Sequence, residues 1–228
     1  MNCEECRGAC CETIITGGGG QRVNIADFRG TQSGPVALLG NGPSLSGWDL
    51  SALAERMPLF GINRSWKIIE TPWRCYVDEY HHEDIRLGRA PAPEIAFTVR
   101  DPNRLELPCL TVEVPWTPIT QETPKRRFCG AELDRGSFGP FAGYFALEIA
   151  RWMGFNPIYL LGYDGDGGHF DEPGFHRPEF ETRTWNELFR EARTCLDRDG
   201  VRVVNCSPSS AIDAFEFVVD TEPDRGRL

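Results

Sequence analysis

Short apolar runs alternate with helical stretches along most of this sequence, and several of the runs end on a polar side chain. The spacing predicts strands over 36–39, 59–63, 74–78, 95–99, 110–114, 157–161 and 201–205. Helices are predicted over 49–56, 141–153, 184–196 and 210–217. The clearest unit is the third helix, where Phe141, Phe145, Ile149 and Trp152 recur at helical spacing and Gly154 supplies the stop. Strands alternating with helices predict a three-layer, mainly parallel α/β sheet. Such sheets bind ligands at the carboxyl ends of their strands, which is where Asn63 and Asp78 would stand.

A chain of 228 residues accommodates one domain of this kind and little more. No apolar run approaches the ~20 residues a membrane span needs. The first residues lack the basic and apolar regions of a signal peptide, so a cytoplasmic protein is expected. A formal charge of −10 argues against broad nucleic-acid binding, which requires a surplus of cations. Lys125-Arg126-Arg127 is the compact basic patch.

Four of the nine cysteines, Cys3, Cys6, Cys10 and Cys11, fall in the first eleven residues. Thiolates this close together suit Zn²⁺ or an iron–sulfur centre, each of which accepts four sulfur ligands. The other reading is a disordered tail of free thiols. If the cluster binds metal, a structural role or the docking of a protein partner is expected. The remaining five cysteines read as small core residues or inert thiols. The expected layout is a cysteine-rich tail over 1–15, a glycine-rich linker over 16–34 containing Gly17 to Gly20, an α/β domain over 35–220, and a short tail over 221–228; the folded domain starts near Gln21 or, on the more conservative reading, near Pro35.

Gly40-Asn41-Gly42-Pro43-Ser44 interrupts the first strand–helix unit. Two glycines permit a tight turn and a close approach to a ligand, and the helix that follows would offer amides to a phosphate. The Lys-Ser/Thr pair of a phosphate-binding Walker loop and the third glycine of a dinucleotide fingerprint are both missing. An ordinary strand-to-helix turn fits equally well.

The segment 36–45 resembles the opening of family 42 sialyltransferases and of a related broad group that includes archaeal 6-hydroxymethylpterin diphosphokinases. The resemblance continues in order through 60–64, 143–164 and 201–210, covering most of residues 35–215. It implies a Rossmann-like fold, a variant of the glycosyltransferase-A type, that binds a nucleotide or nucleotide-sugar. In the sialyltransferases the asparagine matching Asn63 faces the nucleotide-sugar. The resemblance likewise assigns Gly40, Asn41, Gly42, Pro43, Ser44, Asp78, Gly143 and Asp164 to the nucleotide site. That family carries a Ser/Thr pair before the glycine of its central helix and an asparagine at the position of Asp78. Here the pair is replaced by Phe141 and Ala142, with Ser137 and Gly139 as upstream substitutes.

His169-Phe170 resembles a His-aromatic pair of those enzymes, and His176 would then be the base that removes a proton from an acceptor hydroxyl; a solvent-exposed loop histidine is the alternative. His81-His82 reads as a solvated turn. Asp164, Asp166 and Asp171 could hold Mg²⁺ against a diphosphate, as a diphosphokinase using ATP would require. The leading expectation is transfer of a sugar from a nucleotide, a cytidine monophosphate derivative, by single displacement. The alternatives are that diphosphokinase and a non-catalytic nucleotide-binding accessory module. A small acidic chain of this composition would also fit a phage-encoded accessory or modification enzyme.

Overall fold

The computed structural model of the protein describes residues 22–99, 107, 109–114, 141–165, 168–172, 179–207 and 210–218. Nine strands form one sheet: β1 (Arg22–Asn24), β2 (Val36–Leu39), β3 (Leu59–Ile62), β4 (Trp73–Tyr76), β5 (Ile95–Val99), β6 (Leu110–Val114), β7 (Ile158–Leu161), β8 (Val203–Asn205) and β9 (Glu216–Phe217). Their order is β1-β6-β5-β4-β3-β2-β7-β8-β9. Every neighbouring pair is parallel. The helices are α1 (Leu50–Ala54), α2 (Glu79–Arg86), α3 (Ala142–Met153) and α4 (Glu179–Arg198). The expected three-layer parallel sheet is therefore present.

The apolar runs are continuous because helices cover both faces of the sheet. In β2, Val36 and Leu38 join the core containing the apolar faces of α3 and α4. Ala37 and Leu39 join the opposite core, against Leu50 and Leu53 of α1. A third cluster packs Ile85 of α2 against Tyr76 and Ala96 of the sheet. Among the described residues, no helix is long and apolar enough to cross a membrane.

Helix α3 carries the apolar spacing read from the sequence, and Gly154 ends it in the left-handed region at φ 101°. A Cβ on Gly154 would lie 2.6 Å from the Gln32 carbonyl oxygen. Gly30 and Gln32 donate their amides to the Trp152 and Met153 carbonyls at 2.9 and 2.8 Å, and the Trp152 indole donates to the Ile25 carbonyl at 2.9 Å. Of the two expected starts these contacts favour the one near Gln21. From Arg22 onward the expected linker packs with the domain, because β1 pairs with β6 and the residues after it close the end of α3. Residues 16–21 of that linker and the tail over 221–228 lie outside the described residues.

Three other expectations change. Residues 210–217 form no helix; they turn and then add β9. Asn205 Nδ2 binds Ser210 Oγ and the Ile212 carbonyl, while Ser210 Oγ donates to the Tyr163 carbonyl at 2.6 Å. Such side-chain bonds compete with a helix. His81 and His82 belong to α2 and are 4% and 6% exposed: with Ile85 they form its buried face. Helix α4 begins five residues earlier than expected and ends two later; its Cys195 is a buried core residue, as expected, and is disulfide-bonded.

Candidate functional site

The chain runs outward from β2 to β3 and β4, later returning to place β7 on the other side of β2. The loops after β2 and β7 therefore diverge at the sheet's carboxyl edge, where parallel sheets open a crevice. A cleft of about 290 Å³ lies there. Gly40, Asn41, Gly42, Asn63, Asp78, Gly143, Asp164 and His169 all line it, so the fold gathers eight expected site residues from five separate segments. Pro43 and Ser44 are not among its lining residues. His176, Ser137, Gly139, Asp166 and the cysteines Cys3, Cys6, Cys10 and Cys11 lie outside the described residues.

The two glycines after β2 serve the packing of one loop on another. Gly42 donates its amide to the Gly162 carbonyl at 2.8 Å, and Gly40 donates to the Leu161 carbonyl at 2.8 Å. A Cβ at Gly40 would meet the Gly162 oxygen at 2.4 Å, and one at Gly42 would meet Asp164 Oδ2 at 1.8 Å. Asp164, 5% exposed, accepts from Ser44 N at 3.1 Å and from Ser44 Oγ at 3.0 Å. Ser207 Oγ lies 3.0 Å from Ser44 Oγ and accepts from Tyr163 N at 3.0 Å. Ser44 thus ties the loops after β2, β7 and β8 together.

The amides expected to face a phosphate are already engaged. Pro43 has none, Ser44 N binds Asp164, and Leu45 N binds the Gly42 carbonyl at 3.1 Å. The segment is a five-residue 3-10 helix, Pro43–Gly47. The amino end of α3 presents the more suitable dipole: Phe141, Ala142 and Gly143 line the cleft. No side chain caps that end, and its first turn contains no acidic residue.

Asn63 follows β3 in the left-handed region, at φ 49°, a conformation asparagine tolerates better than most residues. Its amide donates to the Cys75 carbonyl at 3.0 Å, leaving the side chain to line the cleft. Asn63 Oδ1 is buried without a hydrogen-bond partner. An acceptor left in that state carries a desolvation cost that a donor on a ligand would relieve.

Asn41 joins the rim loops. Its Oδ1 accepts from Arg64 N at 3.1 Å, and its carbonyl accepts from Phe170 N at 2.8 Å. His169 and Glu172 close a tight turn, with Glu172 N on the His169 carbonyl at 3.0 Å. The turn is fastened from outside: Arg64 lies 2.7 Å from Glu172 and 3.4 Å from Asp171, and Lys67 also pairs with Asp171. Burial raises the Asp171 carboxyl, but the hydrogen bond and charge of Lys67 and the charge of Arg64 outweigh it and hold it low. The hydrogen bond that Arg64 donates to Glu172 raises its pKa, and its guanidinium lies 5.7 Å from the Tyr80 ring centroid. Two carboxylates expected to hold Mg²⁺ are therefore committed within the protein, Asp164 to Ser44 and Asp171 to two cations. Among the described residues, no group of three or more His, Cys, Asp or Glu is arranged for a metal ion.

The cleft lining is also aromatic. Phe141 and Trp185 stack at 4.1 Å with their planes 19° apart, and Tyr80, Tyr163 and Phe189 line the cleft as well. Tyr163 is held by its hydroxyl on the Gly143 carbonyl at 3.0 Å. The resemblance put Phe141 at a donor-contact position, but sequence reasoning brought none of Trp185, Tyr80, Tyr163 or Phe189 to the site. The signal available was Trp185 and Phe189 at i and i+4, which places both on one face of α4.

No family model matches the chain, and no curated protein matches it. Among solved structures it is similar to the MAf glycosyltransferase from Magnetospirillum magneticum AMB-1, at 14% identity and a TM-score of 0.53, over 88% of this chain and 39% of that one. It is also similar to the sialyltransferase CstII from Campylobacter jejuni in complex with the substrate analogue CMP-3FNeuAc, at 14% identity and a TM-score of 0.50, over 82% of this chain and 86% of that one. The likeness is one of fold, a Rossmann-like, parallel α/β sheet. The chain spans about two fifths of the length of the MAf glycosyltransferase.

Proposed function

We propose that this chain binds a nucleotide-activated sugar, a cytidine monophosphate derivative, in the cleft and transfers the sugar to an acceptor hydroxyl by single displacement. The observation that carries the reading is the unpartnered Asn63 Oδ1, set by a left-handed backbone into a cleft at the sheet's switch point. The amino group of a nucleobase or a sugar hydroxyl would supply the missing donor. The uncapped amino end of α3 would face the phosphate, where helix amides favour negative charge. In the transfer, a histidine takes the acceptor proton as the acceptor oxygen bonds to the anomeric carbon. The bond from that carbon to the phosphate oxygen breaks, and its electron pair leaves with the nucleotide. His169, on the cleft wall, and His176 are the two candidates for the proton. The fold shared with two glycosyltransferases, one of them solved with a CMP-sugar analogue, supports the class of donor.

The test is the melting temperature of the purified chain with CMP, CDP, UDP, GDP and ATP, each with and without Mg²⁺. A ligand at a hundred times its Kd stabilises by about 2.7 kcal/mol, which raises Tm by several degrees in a domain of this size. A shift with CMP in the absence of metal is expected. A shift with ATP only in the presence of Mg²⁺ would replace this reading with a diphosphokinase, and no shift with any nucleotide would sink it. Hydrolysis of a CMP-sugar by the wild type, compared with His169→Ala and His176→Ala, then decides which histidine carries the proton. Binding without turnover would identify an accessory module.

A further inference from the structure

From the aromatic wall of the cleft we infer that this chain recognises the nucleobase of its ligand by stacking on the Phe141–Trp185 pair. The inference rests on the nucleotide-binding reading above and deepens it. Both rings line the cleft and both pack on the main core while remaining partly exposed. They come from different elements, Phe141 from the residue preceding α3 and Trp185 from α4, yet lie face to face at 4.1 Å and 19°. Phe141 is braced by the rings of Phe189 at 5.5 Å and Tyr144 at 5.8 Å, both edge-on. The pair is thus held in a fixed orientation by neighbouring rings while part of each ring faces the cleft.

A phosphate or a sugar hydroxyl gains nothing from such a wall, since each requires donors and acceptors. Aromatic surface kept at a cleft rather than in the core points to a flat or apolar group on the ligand. A nucleobase offers a π face to the rings and polar edges to the polar side chains of the same cleft, among them Asn63 and Asp78. The same lining would also be reached by the C–H face of a sugar, which separates the outcomes of the test. Base-on-aromatic stacking depends little on which base is present, because every base has a π face.

The experiment is calorimetric titration of the full chain with CMP, AMP and ribose 5-phosphate, using wild type, Trp185→Leu and Trp185→Phe. Ribose 5-phosphate retains the sugar and phosphate and lacks the base. Wild type should bind both nucleotides at least ~10-fold more tightly than ribose 5-phosphate. Trp185→Leu should weaken both nucleotides ~10-fold and leave ribose 5-phosphate unchanged, a change of the size found when one stacking ring is removed. Trp185→Phe, which keeps a planar ring, should recover most of the loss. Circular dichroism of each variant excludes a loss of fold, and Phe141→Leu serves as the second variant if Trp185→Leu unfolds. Equal weakening of all three ligands, or none, would overturn the stacking while leaving the nucleotide site standing. Wild type binding ribose 5-phosphate as tightly as CMP would do the same. A wild type that binds no nucleotide would remove both readings together.

Discussion

The carboxylate of Asp164 occupies the space that a side chain at Gly42 would need: a Cβ built there would lie 1.8 Å from Asp164 Oδ2. The glycine after β2 is therefore required by the loop after β7, and the two loops form one packed rim. Replacing Gly42 with alanine forces the rim apart. A cost of about 1–3 kcal/mol is expected for overpacking of this kind, read as a lower midpoint in urea denaturation. Gly40→Ala, whose Cβ would meet a backbone oxygen at 2.4 Å, should cost a similar amount.

Asp164 itself receives both the amide and the hydroxyl of Ser44. Asp164→Ala leaves the Ser44 amide part-buried and unpaired, at a cost of about 1–3 kcal/mol, while the hydroxyl keeps Ser207 Oγ at 3.0 Å. Asp164→Asn keeps an acceptor and should lose less. Chemical denaturation of the two variants side by side checks the ranking.

The strap carrying His169 should respond to acid through Asp171. Lys67 and Arg64 prevail over burial and hold its pKa below the ordinary value of 3.8. The contribution is thus complete above about pH 4 and is lost as pH falls through the folded value. Asp171→Asn should be less stable than wild type at pH 7, and the gap should close as pH drops below about 4. Urea midpoints across that range give the answer.

His81 acts in a different window. Burial, then the charge of Arg64, lower its imidazole from 6.5 to about 4. The unfolded chain takes up a proton near pH 6.5 that the folded chain refuses until about 4. Stability is therefore complete above 6.5 and declines toward pH 4, at about 1.4 kcal/mol per pH unit for one proton. His81→Leu should remove about one proton from that slope. An unchanged slope would show that other groups carry it.

The N-terminal cysteines Cys3, Cys6, Cys10 and Cys11 are proposed to hold zinc or an iron–sulfur centre. Freshly purified protein should contain either zinc or iron in stoichiometric amount by elemental analysis. The double variant Cys3→Ser, Cys6→Ser should lose it, and metal-free wild type would count against the cluster.

The strands and α3 were legible because their signals are local. A buried parallel strand is an unbroken apolar run, as in Val36 to Leu39, and an amphipathic helix repeats at 3.6, as in Phe145, Ile149 and Trp152. Asn63, Asp78 and Asp164 were found because strand ends stand next to recognisable runs. Short elements gave no such signal. β1 has three residues and β9 two, and each exists only because a neighbouring strand pairs with it. His81 and His82 read as surface because polar side chains usually are, but the face of α2 that they share with Ile85 turns inward.

Residue order alone carries seven of the nine strands described, the parallel sheet and the strand ends that could hold a site. Periodicity and the polar residues at run ends are written residue by residue, and need no distant partner to be read. The tertiary structure alone decided what those residues do. It spent the amide of Ser44 on Asp164 and set Gly42 against the same carboxylate. It also brought Trp185 onto Phe141, 44 positions earlier in the chain, in a stack at 4.1 Å. Packing between distant segments depends on where the sheet places them, and no local pattern encodes a close approach.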